Sequence, residues 1–334
     1  MAIAQPYLLF LGDAPDQLAA KTADGVAQWR REGCVGQLRL PGCKADLGLP
    51  DLTVAAAAAQ GARTLIIGVA NRGGKISELW QETILDALDR GMDIASGLHN
   101  RLSDQPALRE RAAALGRTLH DVRHPSQSFD VASGLRRAGK RLLTVGTDCS
   151  VGKMFTALAL EKELRRRGHK ADFRATGQTG ILIAGGGVSV DAVVADFISG
   201  ATEWLSPAND PDHWDLVEGQ GSLYHLSYAG VSLGLLHGAQ PDALVLCSVP
   251  GRPHMRGLPG RPLPSLKDCL ALNETMARMA NPDARIVGIA LNTSALRESE
   301  AEATLKATAD QLGLPTVDPV RTGVAPIVDH LLAS

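Results

Sequence analysis

The chain has 334 residues, 45% hydrophobic and 21% charged, the balance of a folded globular protein rather than a disordered or fibrous one. Basic residues number 34 and acidic residues 36, a formal charge of −2, so no net field draws it to nucleic acid or an anionic membrane. The five cysteines are scattered without a C-x-x-C pair, and the histidines show no H-E-x-x-H spacing. Disulfides and a metal centre are therefore not expected, and a reducing cytoplasm suits the composition.

No basic region precedes Tyr7–Leu11, which is too short for a signal segment. No apolar run approaches the ~18 residues of a membrane span. The expectation is a cytoplasmic protein that acts on a small molecule, away from nucleic acid and membranes. A homo-oligomer is left open.

Apolar runs alternate with helical patterns from the start. Strands are expected at Tyr7–Gly12, Val35–Leu40, Thr64–Ala70, Met92–Ser96 and Thr118–Arg123. Helices are expected at Asp16–Arg31, over the alanine run Ala55–Ala59, at Ser77–Arg90 with Ser77 as N-cap, and at Pro106–Leu115. This β-α alternation predicts an α/β, Rossmann-like N-terminal domain with a parallel sheet. Its first turn, Gly12-Asp13-Ala14-Pro15-Asp16, lacks the G-x-G-x-x-G that lets a pyrophosphate approach the backbone, so no dinucleotide is expected there. Two later loops follow strands and are candidate ligand loops: Ala70-Asn-Arg-Gly-Gly-Lys75 and Ser96-Gly-Leu-His99. The polar stretch Pro125–Lys140 marks the boundary, giving domains 1–128 and 129–334.

The second domain opens with a strand at Arg141–Gly146 and a helix at Lys153–Arg167. Further strands are expected at Asp172–Ala175, Trp214–Glu218, Ala243–Val249, Arg285–Leu291 and Thr316–Val317. Helices are expected at Asp191–Ser199, Leu266–Met279 and Glu298–Leu312. Between the first strand and helix runs Gly146-Thr147-Asp148-Cys149-Ser150-Val151-Gly152-Lys153, the G-x-x-x-x-G-K of a phosphate loop in its required context. Backbone N–H groups, the helix N-terminus and Lys153 would cradle a phosphate. Met154 departs from the pattern, because it stands where a Ser or Thr hydroxyl would ligate Mg²⁺. Thr156 does not replace it: two residues further along a helix points about 200° away.

Two later strands end in polar groups, Glu218 within Glu-Gly-Gln-Gly-Ser222 and Asn292, whose amide suits an adenine edge. These features resemble the dethiobiotin synthetase-like branch of P-loop proteins. A broader resemblance rests on Ala175-Thr-Gly-Gln-Thr-Gly180, Val190–Phe197, Glu218–Leu223 and Leu235-Leu-His-Gly238. It points to a two-domain bacterial and archaeal family, long known as a domain of unknown function, that includes D-glutamate N-acetyltransferases. Met follows the loop lysine in that family as well.

The resemblance implies acetyl transfer from acetyl-CoA to the amine of D-glutamate, with the P-loop domain holding coenzyme A and no metal. An ATP-dependent carboxylate-activating ligase or kinase, and a non-catalytic nucleotide-binding regulator, stay open as alternatives. Acyl transfer to an amine needs a proton acceptor, and Glu218, Asp196, Asp148 and His225 are the candidates. Asp196 lies in an apolar run, where an acid needs a partner. Arg174 and Arg252 are candidates to pair with acids or clamp substrate carboxylates, with Gln178 and Thr179 beside them as substrate-binding candidates. Cys149, at a helix N-terminus, is a candidate for the lowered pKa of an acyl-accepting nucleophile.

Overall fold

A computed structural model describes residues 2–69, 76–125 and 127–333. These divide into two compact units, one of residues 2–127 with 177–192, the other of 128–176 with 193–333. The candidate loop Ala70–Lys75 lies outside the described residues.

The first unit is a parallel five-stranded sheet of order β2-β1-β3-β4-β5. Its strands are β1 (Tyr7–Gly12), β2 (Cys34–Arg39), β3 (Thr64–Ile67), β4 (Asp93–Ser96) and β5 (Leu119–Asp121). The helices are α1 (Lys21–Trp29), α2 (Val54–Ala59), α3 (Glu78–Asp89) and α4 (Pro106–Leu115). β1 and β3 are buried throughout, as continuous apolar strands covered on both faces must be. Ser77 caps α3 by accepting from the Trp80 N–H, and the expected helix from Asp16 starts only at Lys21, after a short 3₁₀ turn. At the end of β1, Gly12 has φ +52°, and a Cβ there would lie 2.7 Å from the Trp80 indole. That indole stands edge-on to Phe10 and donates to Asp13 Oδ1 at 3.0 Å. Trp80 therefore fills the space through which a pyrophosphate would have to approach this turn.

The second unit is a parallel six-stranded sheet of order β11-β10-β9-β6-β8-β7. Its strands are β6 (Lys140–Gly146), β7 (Ala171–Arg174), β8 (Trp214–Val217), β9 (Ala243–Ser248), β10 (Arg285–Leu291) and β11 (Thr316–Val317). The remaining helices are α5 (Lys153–Arg166), α6 (Gln178–Ala184), α7 (Ile198–Leu205), α8 (Ala229–Ala239), α9 (Leu266–Ala280), α10 (Glu298–Leu312) and α11 (Ala325–Ala333). All but α6 belong to the second unit; α6 falls in the first, where Ile3 N donates to Gly185 O and α1 lies against it. Among the described residues, no helix is long and apolar enough to cross a membrane.

Four helices depart from expectation. In place of a helix at Asp191–Ser199 there are two 3₁₀ turns, Val190–Ala192 and Ala195–Phe197. Val194 is exposed, so this run has no apolar face to bury; the helix begins at Ile198, where Ile198, Ala201 and Leu205 recur at helical spacing and face inward. Helices α6, α8 and α11 were not expected at all. For α8 the reason is composition, since Gly230, Gly234 and Gly238 read against a helix.

Two of those glycines are contact points. A Cβ on Gly234 would lie 2.8 Å from Ile198 Cγ2, and one on Gly238 would lie 2.3 Å from Ser199 O. Ser199 Oγ also donates to Gly234 O at 2.8 Å, so α7 packs on α8 with their backbones in close approach. Steric and propensity effects therefore oppose each other along one helix. Gly238→Ala gains about 1 kcal/mol of helix propensity but must push apart two backbones, which costs about 1–3 kcal/mol or more. A Cβ on Gly230 meets nothing within 4 Å. Gly238→Ala should lower the unfolding midpoint and Gly230→Ala should leave or raise it, as differential scanning calorimetry will report.

Candidate active site

The site grows from β6, which lies between β8 and β9. Their three C-terminal ends are joined by side-chain and backbone hydrogen bonds. Gly219 N donates to Thr144 Oγ1 at 3.0 Å, Thr147 N donates to Cys247 O at 3.0 Å, and Thr147 Oγ1 meets Ser248 Oγ at 3.0 Å. After β6 the chain turns through Ser150 at φ +52° and Gly152 at φ +99° before α5 starts at Lys153. At Gly146 a Cβ would lie 2.9 Å from Val151 and 3.0 Å from Lys153 Nζ. The loop is thus a cradle closed around its own backbone, which only glycine permits at that position.

Lys153 is buried. Its Nζ donates to Asp148 O and to Gly221 O, both at 2.8 Å, so it joins the phosphate loop to the Glu218–Ser222 turn. Burial pushes the ammonium pKa down, against the opposing pull of neighbouring acidic groups that include Asp148 and Glu218. Glu218 follows β8 and is 5% exposed. Its Oε2 accepts from Thr176 N at 3.0 Å, while Thr176 Oγ1 donates back to Glu218 O at 2.6 Å. Gln220 Nε2 completes the group by donating to Thr176 Oγ1 at 3.1 Å.

Asp148 is fully buried and committed. It accepts from Cys149 N at 2.7 Å, Arg256 N at 2.8 Å and Arg252 Nη1 at 2.8 Å. Arg252 also donates to Cys149 O and Ser150 O, so its guanidinium braces the outside of the phosphate loop instead of facing a substrate. His225 accepts from Ser227 N through Nδ1 and donates from Nε2 to Arg256 O at 2.9 Å. Both ring nitrogens are used, which leaves no lone pair for a proton. Asp148, Cys149 and His225 offer ligand atoms within 4.8 Å of one another, yet the carboxylate and the imidazole are spent on these protein partners.

Other expected residues fall elsewhere. Asp196 is exposed in the turn before α7 and needs no partner. Arg174 runs back along the sheet to Asp215, donating from Nε at 2.9 Å, and so is not a clamp at the strand ends. Gln178 and Thr179 open α6 in the first unit, where Gln178 Cγ lies 3.1 Å from the Cβ position of Gly97. That contact brings together Gln178 and the Ser96–His99 loop. Cys149 departs most clearly in its chemistry: burial pushes its thiol up from the ordinary value of 9.0, outweighing the nearby positive charges of Lys153, Arg256 and Arg252.

Beside the loop, on the β10 side, lies a largely apolar cavity of about 320 Å³. Val151, Gly152 and Phe155 wall it from the P-loop side, Asn292 and Ser294 from the end of β10, and Asp318, Val320 and Arg321 from the turn after β11. Asn292 Oδ1 accepts from Ser294 N, leaving the amide Nδ2 without a partner among the described residues. The sequence reading reached Asn292 but missed Asp318 and Arg321, which follow a strand of two residues. It also missed Arg256, whose backbone is held by Asp148 and His225 while its exposed side chain has no partner among the described residues. The Arg- and Pro-rich run from Arg252 to Arg261 was the available signal.

A Rossmann-like unit and a P-loop unit with a cavity beside the loop define a two-domain α/β protein of the P-loop class. The chain belongs to the DUF1611 family: its Rossmann-like N-terminal domain model matches residues 38–125 and its P-loop domain model residues 130–328. It is 58% identical over 331 residues to a D-glutamate N-acetyltransferase from Tritonibacter scottomollicae, covering 99% of both chains. It is 49% identical to a D-glutamate N-acetyltransferase from a Pseudoalteromonas species, covering 99% of this chain and 100% of that one. A crystal structure of a DUF1611 family protein from Anabaena variabilis superposes with a TM-score of 0.86 at 33% identity, covering 99% of this chain and all of the other.

The raised thiol has a direct consequence. A thiol with a raised pKa forms its reactive thiolate only above the ordinary pH, so Cys149 is a poor nucleophile near neutrality. Alkylation of Cys149 by iodoacetamide, followed by peptide mass mapping, should reach half its maximal rate above pH 9.0. Cys149→Ser should retain near wild-type turnover.

Proposed function

We propose that this protein transfers an acetyl group from acetyl-CoA to the amine of D-glutamate, with coenzyme A held by the P-loop unit. The observation that carries this reading is the pairing of a phosphate cradle with an adjacent apolar cavity and a thioether, Met154, at the metal-hydroxyl position. The residues present fit coenzyme A. The loop N–H groups and Lys153 answer its diphosphate, and the cavity with Asn292 Nδ2 answers its adenine. Acetyl-CoA supplies the activated acyl thioester. The two full-length relatives named D-glutamate N-acetyltransferase support the reaction and its acceptor.

The chain's own groups divide the remaining work. An ammonium must lose a proton before it can attack a carbonyl carbon, and we assign that proton to Glu218. Of the four candidate acceptors it is the buried carboxylate that does not serve as a brace of the phosphate loop, unlike Asp148. His225 has both nitrogens occupied, and Asp196 stands exposed on the surface. The carboxylates of the acceptor need a cation. Arg174 and Arg252 are already paired with Asp215 and Asp148, so Arg256 is assigned to them.

Two measurements test this. Glu218→Gln keeps the shape but loses the basicity, so kcat should fall by roughly 10²–10⁴ with KM for acetyl-CoA little changed. Near-normal turnover would remove Glu218 from the proton transfer.

The second measurement addresses metal use. A thioether is a poor ligand for Mg²⁺, which prefers oxygen. Acetylation of D-glutamate, followed by mass spectrometry, should be insensitive to EDTA, and ATP with Mg²⁺ should release no phosphate coupled to the acceptor. Metal-dependent ATP turnover in that assay would replace this reading with a carboxylate-activating ligase.

A further inference from the structure

We propose that Arg321 reads the 3′-phosphate of coenzyme A and so sets the donor specificity of the P-loop unit; this rests on the acetyl-CoA reading above. Arg321 is the one cationic side chain among the described residues that line the cavity beside the phosphate loop. The rest of that lining is largely apolar, suited to a purine ring, with Asn292 as its polar reader. A nucleotide whose base fills this cavity and whose 5′-diphosphate reaches the loop must leave its ribose between them. The 3′-oxygen of that ribose then faces the mouth of the cavity, where the exposed Arg321 stands.

The position of Arg321 is set by built structure rather than by chance exposure. Asp318 accepts from Thr293 N at 2.9 Å, Thr293 Oγ1 at 2.6 Å, Val320 N at 2.9 Å and Arg321 N at 3.1 Å. Burial alone would raise the Asp318 pKa, but these hydrogen bonds outweigh it and hold the pKa below the ordinary carboxylate value. The carboxylate therefore stays ionised, with its charge spent on closing the 318–322 turn onto the end of β10.

From that turn the guanidinium reaches back, and Nη2 donates to Leu296 O at 2.8 Å and Thr293 O at 3.3 Å. Nε and Nη1 have no partner among the described residues. Nη2 belongs to both bidentate edges of the guanidinium and is spent on the Leu296 and Thr293 carbonyls, so Nε and Nη1 offer a phosphate dianion separate charge-assisted donors rather than a fork. Adenine nucleotides without a 3′-phosphate would leave these donors unused. That gives the unit a means of favouring coenzyme A over 5′-phosphorylated adenosines that lack the 3′-phosphate.

The test is equilibrium binding by isothermal titration calorimetry, using coenzyme A and 3′-dephospho-coenzyme A, which differ only in that phosphate. Wild type should bind coenzyme A at least tenfold more tightly. In Arg321→Gln that preference should fall to within about twofold, through loss of coenzyme A affinity with dephospho-coenzyme A affinity unchanged; Arg321→Lys should keep part of it. The ratio of kcat/KM for acetyl-CoA over acetyl-dephospho-CoA should collapse in parallel.

Equal binding of both ligands by wild type overturns the proposal while leaving the acetyl-CoA reading intact. Equal weakening of both ligands in Arg321→Gln also overturns it, because the side chain would then be shaping the pocket and not reading the phosphate. Failure of wild type to bind either ligand would instead sink the proposed function itself. Thermal unfolding of each variant confirms that the 318–322 turn survives the substitution.

Discussion

The buried ammonium of Lys153, held by the carbonyls of Asp148 and Gly221, is the interaction on which the P-loop unit is organised. A buried cation is costly unless its protons find acceptors, and here two backbone oxygens from separate turns accept two of the three. The bond ties the turn after β6 to the turn after β8. Parallel order supplies the opportunity, because β8, β6 and β9 are adjacent and all three end on the same edge. Thr144, Thr147 and Ser248 add the remaining stitches. A phosphate arriving at the loop would meet a lysine already in place and a cradle already closed around its own glycines.

Most of the charged groups near the loop serve to build it. Asp148 neutralises Arg252 and collects two backbone N–H groups, so an acid that reads as a catalytic candidate and an arginine that reads as a substrate clamp both brace the loop. Arg174, Asp215 and Ser206 are likewise spent on one another, where Ser206 Oγ donates to Asp215 Oδ2 at 2.5 Å. Glu218, Arg256, Asn292 and Arg321 stand outside these pairs, and they are the groups assigned above to the proposed ligands.

The N-terminal unit has the strand order of a nucleotide-binding fold without its usual opening. Trp80 lies against Gly12 and Asp13 at the end of β1, so the first β-α turn is filled by the protein's own side chain. The unit also takes in α6, whose first residue Gln178 lies against Gly97. Residues 177–192 are thus contributed to the first unit by a segment that, in sequence, follows the phosphate loop.

Sequence alone determined the elements whose cause is local. Continuous apolar runs gave the central strands, such as β1, β3 and β9, because parallel strands inside a sheet are buried on both faces. The glycines and lysine of Gly146–Lys153 gave the phosphate loop, because only that pattern turns backbone N–H groups inward, and the resemblance to the acetyltransferase family followed from fixed residues near such loops. What sequence could not decide was pairing. Arg252 against Asp148, Arg174 against Asp215 and His225 against Arg256 O span long chain separations, and nothing in composition or spacing says which acid meets which base. Helix α8 was not expected for the same reason: its glycines cost helix propensity locally, and the compensation at Gly234 and Gly238 is close packing on α7, which only the folded chain brings within reach. The strand Thr316–Val317 was legible, but the role of Asp318 and Arg321 after it was not, because nothing local to the chain says what their turn will meet. Only the tertiary structure sets their turn against the end of β10 and makes a cavity of it.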